Sequence, residues 1–177
     1  MKIALIGAGN LATNLGRALV EAGHTVCQVY SRTLASAETL ASKLGSRGVN
    51  SLAEVVSDAQ LYIVALKDSA LDEVLPVLLK GRSQALWVHT AGSVPMSVWP
   101  ALGLKHYGVM YPMQTFSKAR EVDFAEIPIF LEASVKMEMD ILKSVAASMS
   151  HRVYEADSEQ RRYLHLSAVF ACNFANA

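Results

Sequence analysis

A glycine-rich turn near the N-terminus has the spacing that accommodates phosphate groups. It reads Gly7-Ala8-Gly9-Asn10-Leu11-Ala12 and lies between an apolar run and a segment with helical periodicity. In a G-x-G-x-x-A pattern the first glycine permits a tight turn and the second leaves room for a diphosphate, while the third small residue lets the helix pack on the strand. The amides of the helix N-terminus then face the phosphates. We therefore expect Gly7, Gly9, Asn10 and Leu11 to bind a dinucleotide, with a turn that only packs as the alternative.

The residues after the second predicted strand indicate which dinucleotide this would be. NAD-binding proteins usually carry a carboxylate here, which holds the ribose hydroxyls. This chain has Ser31, Arg32 and Thr33 instead. Arg32 can form a charge-assisted pair with a 2′-phosphate, and such a bond contributes about 1.5 to 3 kcal/mol, roughly a ten- to hundredfold preference for NADP. The alternative is a solvated Arg32, with Ser31 or Thr33 capping the next helix.

Polar side chains also follow the later predicted strands, at the sheet edge where ligands bind in parallel α/β proteins. Leu66 and Lys67 would pass beside the cofactor, although Lys67 could equally be a surface charge. The segment from His89 to Ser93 offers a titratable ring and two hydroxyls, so His89 and Ser93 are candidate catalytic residues. His89 could donate a proton to a carbonyl or imine, or it could be a strand-end histidine bonded to a backbone carbonyl. Further on, three residues are candidates to orient a substrate, with a loop that only docks on the neighbouring helix as the alternative: Gln114, Thr115 and Ser117.

The last predicted helix is unusual because it is apolar on nearly every side. Asp157 and Gln160 have the spacing of a capping box, and almost every position from 164 to 177 is apolar or small. His165 and Asn173 interrupt this pattern, and buried polar groups need partners. We expect both to face a substrate, with hydrogen bonds in a core or interface as the alternative. Because the helix lacks a terminating signal, we expect the chain to be a fragment whose remainder covers it, or a subunit interface to do so.

The order of predicted elements indicates an α/β fold with a doubly wound, mostly parallel sheet. Strands are predicted near residues 2–7, 24–31, 48–49, 60–66, 85–89, 107–111 and 128–131, and helices over 10–22, 34–44, 51–57 and 69–79. Apolar strands that alternate with helices form a parallel sheet covered on both faces. We expect a dinucleotide-binding domain over 1–154, followed at 155–177 by the first helix of a helical domain.

The composition excludes several classes of partner and site. Sixteen basic residues balance sixteen acidic ones, so no net charge attracts nucleic acid. No apolar run is long enough to span a membrane, and neither Cys27 nor Cys172 has metal-ligand spacing. Two isolated thiols suit a reducing compartment. We therefore expect a cytoplasmic protein without a metal site, and neither zinc-ligand spacing, a Ser-His-Asp order nor a P-loop is visible.

Five segments carry a resemblance to a known family: GAGNLATNLGRAL, GHTVCQVYSRT, HTAGS, YPMQTFSK and CNFAN. Together they resemble a bacterial family that joins a Rossmann-like NADP-binding domain to a C-terminal helical domain of unknown function. More distantly the chain is similar to pyrroline-5-carboxylate reductase, to deazaflavin-dependent NADP reductases and to the 6-phosphogluconate dehydrogenase superfamily. The resemblance implies hydride transfer with NADP, contacts from Leu66 and Lys67 to the ribose or nicotinamide side, and homodimers built through the helical part. Asn173 matches an asparagine of the superfamily's catalytic helix, but no lysine precedes it.

These observations predict an NADP(H)-dependent oxidoreductase that acts on a small carbonyl, imine or deazaflavin-like substrate. The missing lysine leaves a non-catalytic NADP-binding sensor or scaffold as the alternative. A different adenine-containing ligand is a third interpretation, which the Ser31-Arg32-Thr33 cluster disfavours.

Overall fold

The computed structural model describes residues 1–175, with side chains through residue 171. The strands are β1 (Lys2–Ile6), β2 (Thr25–Tyr30), β3 (Arg47–Val49), β4 (Leu61–Val64), β5 (Leu86–His89), β6 (Tyr107–Pro112), β7 (Ile129–Ala133) and β8 (Val153–Glu155). The helices are α1 (Asn10–Glu21), α2 (Leu34–Leu44), α3 (Asp68–Leu78), α4 (Val98–Ala101), α5 (Lys136–Ala147) and α6 (Ser158–Ala175).

The eight strands form one sheet in the order β3-β2-β1-β4-β5-β6-β7-β8. Neighbouring strands from β3 to β6 are parallel, β7 runs antiparallel to β6, and β8 is parallel to β7. The prediction of a doubly wound, mostly parallel sheet is confirmed. Because the direction of crossing changes between β3 and β4, the carboxyl ends of β1 and β4 border a crevice of the kind in which ligands bind.

Alternate strand residues point to two separate cores. Ile3 and Leu5 pack with α1, α2 and α5 on one face, whereas Ala4 and Ile6 pack with α3 and α4 on the other. Both faces of the central strands are therefore buried, as expected for the continuous apolar runs in the sequence.

The predicted helix over 51–57 is wrong, because only a single 3-10 turn forms there at Leu52–Glu54. The guanidinium group of Arg82 donates hydrogen bonds to the carbonyls of Leu52, Val55 and Val56. An α-helix through this segment would pair the Leu52 carbonyl with the Val56 amide, but that amide donates to Gln28 Oε1 instead. The long-range contact therefore fixes an irregular turn.

The antiparallel direction of β7 determines where α6 begins. Pro112, at the carboxyl end of β6, pairs with Ile129 at the start of β7, and Ile129 pairs in turn with Val153 at the start of β8. After β8 the chain enters α6, which approaches the loops that follow the parallel strands. Within residues 1–175 none of the helices is both long enough and apolar enough to cross a membrane.

Candidate functional site

A cleft of about 380 Å³ lies over the carboxyl ends of β1, β2 and β4, and we call it the nucleotide cleft. Seven of the nine predicted cofactor-binding residues line it: Gly7, Gly9, Ser31, Arg32, Thr33, Leu66 and Lys67. Asn10 and Leu11 form the first turn of α1 and are not among its lining residues. The fold thus brings together three segments that are separated by as many as sixty residues.

Gly7 and Gly9 have different structural reasons to be glycine. Gly7 has φ +129, and a Cβ at this position would lie 2.3 Å from the carbonyl oxygen of Ala65. Its amide donates to the carbonyl of Tyr30 at 2.8 Å. By contrast, a Cβ at Gly9 would meet no atom within 4 Å. Gly7 thus lets the strand ends approach one another, and Gly9 leaves open space beside the helix N-terminus, which fits a diphosphate.

The far end of the nucleotide cleft carries the side chains expected to select NADP. Arg32 is exposed, and Thr33 occupies the N-cap position of α2 without bonding a helix amide. Its hydroxyl donates instead to the Ser36 hydroxyl at 2.7 Å. Burial raises the pKa of Tyr30, while Arg32 lowers it and Glu73 raises it. One exposed guanidinium and several hydroxyl groups thus face a cleft that an anion could enter.

Sequence reasoning missed three polar residues that line the same cleft, namely Ser36, Ser69 and Glu73. Ser36 lies one helical turn after Thr33, and Glu73 lies one turn after Ser69 on α3. The i to i+3 and i to i+4 spacings place each pair on one helix face, so this signal was present in the sequence.

His89 ends β5 and is completely buried. Its Nδ1 accepts a hydrogen bond from the Ala91 amide at 3.2 Å, and its ring stacks on Trp99 with centroids 5.8 Å apart. Burial first, and then the charge of Arg161, lowers the pKa of His89 to about 3, with the Pro95 carbonyl acting in the opposite direction. Nε2 finds no partner with hydrogen-bond geometry within the described chain. His89 is therefore a neutral imidazole. It does not line the nucleotide cleft, nor the second cleft at this end of the sheet, which lies between β6 and α6.

Ser93 lies on the exposed side of the same loop. Its hydroxyl donates to the carboxylate of Asp68, the first residue of α3. This bond joins the loop after β5 to the segment that carries Leu66 and Lys67.

A second cleft, of about 400 Å³, separates the end of β6 from α6, and we call it the substrate cleft. Its lining residues are Tyr111, Met113, Gln114, Thr115, His165, Ala168, Val169 and Ala171. The predicted residues Gln114, Thr115 and His165 thus come together here. Ser117 does not line it, and its carbonyl instead accepts a hydrogen bond from the buried Asn14 of α1 at 3.0 Å.

His165 makes the most specific contacts in the substrate cleft. Its Nδ1 lies 2.9 Å from the Tyr111 hydroxyl oxygen. On its other side it packs against Gly92, where a Cβ would lie 2.6 Å from the same nitrogen. The glycine that follows β5 therefore makes room for a ring from α6, a contact that the sequence did not reveal.

The start of α6 is fixed by caps and by a buried ion pair. Asp157 and Gln160 exchange hydrogen bonds of 2.8 and 2.9 Å, so the predicted capping box is confirmed. The guanidinium group of Arg161 is 99% buried, pairs with Glu132 and donates to the carbonyls of Ala91 and Val94. Sequence reasoning missed this residue, since nothing local distinguishes Arg161 from the neighbouring, exposed Arg162.

Asn173 lies outside the residues whose side chains are described, as do Cys172 and Asn176. Among the described residues, no three His, Cys, Asp or Glu side chains are arranged to hold a metal ion.

Comparisons with known proteins agree with this geometry. Residues 2–88 match the family described as NADP oxidoreductase coenzyme F420-dependent, and residues 127–177 match a domain of unknown function, DUF2520. No protein with a curated description matches the sequence.

Solved structures give both close and distant matches. A "putative NADP oxidoreductase" from Bacteroides fragilis is 58% identical, with a TM-score of 0.95, and the match covers 99% of this chain and 68% of that protein. An imine reductase from Myxococcus stipitatus in complex with NADP+ is 18% identical with a TM-score of 0.79, over 99% of this chain and 62% of that one. A protein from Thermotoga maritima is 23% identical with a TM-score of 0.75, over 97% and 64%. The two distant matches show the fold alone, and this chain spans less than two thirds of each. At 58% identity to the Bacteroides protein, the chain belongs to the family of NADP oxidoreductases in which the nucleotide-binding part is followed by DUF2520.

Proposed function

We propose that this chain binds NADP(H) in the nucleotide cleft and presents its nicotinamide to a small carbonyl, imine or deazaflavin-like substrate held in the substrate cleft. The nicotinamide supplies or accepts the hydride when bound. The observation that carries the proposal is the convergence of the Gly7-Gly9 turn with Ser31, Arg32 and Thr33 on one cleft.

Each part of the nucleotide cleft has a role in this proposal. Gly9 leaves the space for the diphosphate, and the amides of Asn10 and Leu11, free at the helix N-terminus, bond its oxygens. Arg32 pairs with the 2′-phosphate, and Ser31 and Thr33 add hydroxyl donors. Leu66 and Lys67, after β4, contact the ribose and the nicotinamide side.

The order of the strands supports a cofactor that extends from one cleft to the other. β1, β4, β5 and β6 are consecutive neighbours, so the glycine turn and Tyr111 lie three strand spacings apart, roughly 14 Å. The loop from His89 to Ser93 lies between them, at the end of β5. In this arrangement buried, neutral His89 shapes the loop, Ser93 fixes the loop to α3, and His165 and Asn173 act on the substrate side.

The proposal extends to organisation and location. We assign 1–154 to the nucleotide-binding domain and 155–177 to a helical domain that α6 begins, since the capping box of Asp157 and Gln160 starts that helix. Four large apolar side chains on α6 are exposed, and they support a homodimer through the helical part: Tyr163, Leu166, Val169 and Phe170. A sequence with only two cysteines, too few for a disulfide framework, supports a cytoplasmic location.

The test compares NADPH and NADH binding by fluorescence titration in the unaltered protein and in Arg32→Ala. Loss of the guanidinium should weaken NADPH binding ten- to hundredfold, as expected for a charged hydrogen bond of about 1.5 to 3 kcal/mol, and leave NADH binding nearly unchanged. Arg47→Ala is the matched control, because Arg47 is exposed on β3 and does not line the cleft. Equal losses for both nucleotides, or no binding of either, would refute the proposal. In a second assay the protein is mixed with NADPH and a panel of carbonyls and imines. Oxidation of NADPH would indicate an enzyme, and binding without oxidation would indicate a sensor.

A further inference from the structure

Tyr111 and His165 form a hydrogen-bonded pair inside the substrate cleft. The hydroxyl oxygen of Tyr111 lies 2.9 Å from Nδ1 of His165, and the two rings meet edge to face with centroids 5.7 Å apart. Tyr111 is largely buried near the end of β6, where its ring also contacts Phe130, while His165 projects from α6. A hydroxyl and an imidazole brought together over 54 residues form a unit that can move a proton.

The surrounding backbone restricts the His165 ring. The absence of a side chain at Gly92 lets the ring approach the loop after β5 closely, and a Cβ there would come within 2.8 Å of three ring and side-chain atoms. One turn earlier on α6, buried Arg161 holds the helix to Glu132 and to the same loop. Since a catalytic group acts efficiently only when it is held in position, this restraint favours a chemical role for the pair.

The walls of the substrate cleft carry no Asp, Glu, Lys or Arg among the described residues. Apart from Tyr111 and His165 they offer the hydroxyl of Thr115, the amide of Gln114 and apolar groups. A carboxylate would lose much of its hydration here and meet no lysine or arginine side chain, and the Nδ1 of the one imidazole, His165, is already bonded to the Tyr111 hydroxyl. The cleft therefore suits an uncharged and largely apolar compound.

We infer that the Tyr111 hydroxyl is the catalytic proton donor for a neutral, largely apolar carbonyl substrate and that His165 is the positioning residue that restores its proton, an inference that rests on the proposed function. The hydride from NADPH forms a new bond to the carbonyl carbon, and the π-electron pair moves to the oxygen. That oxygen takes the Tyr111 proton, the phenolate takes a proton from Nδ1 of protonated His165, and the imidazole takes one from water. The carbonyl compound becomes an alcohol, NADPH becomes NADP+, and one solvent proton is consumed.

A carbonyl group needs such a donor more than a protonated imine does. An iminium nitrogen already carries its proton, so hydride transfer alone gives the amine. A protonated His165 would also repel an iminium ion and assist a carbonyl oxygen as it gains negative charge. The pair therefore narrows the proposed substrate class to carbonyl compounds.

The decisive variant is Tyr111→Phe, which removes one oxygen and keeps the ring. We expect its NADPH Kd to stay within about twofold of the unaltered protein, and its kcat with acetophenone to fall roughly a hundredfold or more, the contribution usual for general acid catalysis. Tyr154→Phe is the matched control, because Tyr154 packs on the same Phe130 ring but is half exposed and does not line the substrate cleft. Phenylpyruvate has a ring and a ketone plus a carboxylate, and because the cost of burying the carboxylate falls on binding, we expect its KM to be higher than that of acetophenone.

Two further measurements separate chemistry from structure. In His165→Gln, which keeps a hydrogen-bonding group, kcat with acetophenone should fall while the KM for acetophenone and the Kd for NADPH stay nearly unchanged. Independently of turnover, NMR signals of the His165 imidazole should shift when acetophenone is added, and this shift should change in Tyr111→Phe but not in Tyr154→Phe.

The outcomes distinguish this inference from the proposed function. Wild-type kcat in Tyr111→Phe, a lower KM for phenylpyruvate than for acetophenone, or NADPH binding without reduction of acetophenone would overturn the inference and leave the nucleotide site intact. Failure to bind NADPH would overturn the proposed function, and the NMR response would then decide for or against acetophenone binding beside His165.

Discussion

Substitution of the two glycines in the phosphate turn should separate folding from cofactor binding. In Gly7→Ala the new Cβ would lie 2.3 Å from a backbone oxygen, at a φ of +129 that side chains rarely adopt. Backbone strain of about 1 to 3 kcal/mol and overpacking of about 1 to 3 kcal/mol together predict a loss of roughly 2 to 6 kcal/mol. For a chain of this size, each kcal/mol lowers Tm by about 2 to 4 °C. Gly7→Ala should therefore melt at least about 4 °C lower.

Gly9→Ala is the matched substitution with the opposite expectation. Its Cβ meets nothing within 4 Å, and alanine in place of glycine at an N-cap costs at most about 1 kcal/mol. The methyl group would, however, occupy the space proposed for the diphosphate. The loss of one charged hydrogen bond there corresponds to a roughly ten- to hundredfold weaker NADPH Kd.

Differential scanning calorimetry of both variants, together with NADPH titration, gives the two quantities. The expected result is a low Tm for Gly7→Ala, and a nearly normal Tm with weak NADPH binding for Gly9→Ala. A Gly9→Ala protein that binds NADPH as tightly as the unaltered chain would refute the assignment of the turn to the diphosphate. A Gly7→Ala protein of normal stability would refute the steric reasoning.

Two further predictions concern buried ionisable groups. Arg161→Met should lower the unfolding free energy, measured by urea denaturation, by about 3 to 5 kcal/mol, because it leaves the Glu132 carboxylate without its ion-pair partner. Adding Glu132→Gln should restore part of this loss. A double variant whose loss equals the sum of the two single losses would contradict the prediction. The pKa of His89 is about 3 in the folded protein and ordinarily 6.5, so the unfolded chain binds more protons between these values and stability falls as pH falls through them. Between pH 7 and pH 5 the unfolding free energy of the unaltered protein should fall by about 2 kcal/mol more than that of His89→Gln. The control His151→Gln, at an exposed position, should lose as much as the unaltered protein. Parallel stability curves for His89→Gln and the unaltered protein would count against a lowered pKa of His89.

The parts of the fold that depend on local pattern were predictable from the sequence. The glycine turn, the strand before it and the helix after it occupy adjacent residues, so their signals reinforce one another. The Asp157 and Gln160 capping box is local for the same reason. The place of Arg32 beside the cleft was predictable because it follows the strand that comes directly after the first helix.

Contacts between distant segments were not predictable in this way. His89 was correctly expected at a strand end, but its complete burial depends on Trp99, which covers it from α4. The Tyr111 and His165 pair requires the reversal at β7, which redirects the chain before α6 begins. Neither α5 nor β8 was predicted, although both position these later residues.

The ion pair between Arg161 and Glu132 also constrains how this protein can diverge. Losing either charge alone leaves the other nearly dehydrated, so each single step passes through a less stable protein. Replacing both by apolar residues of similar volume restores a satisfied core. Homologous chains should therefore either keep both charges or lack both, and a lineage that exchanges them should carry the two changes together.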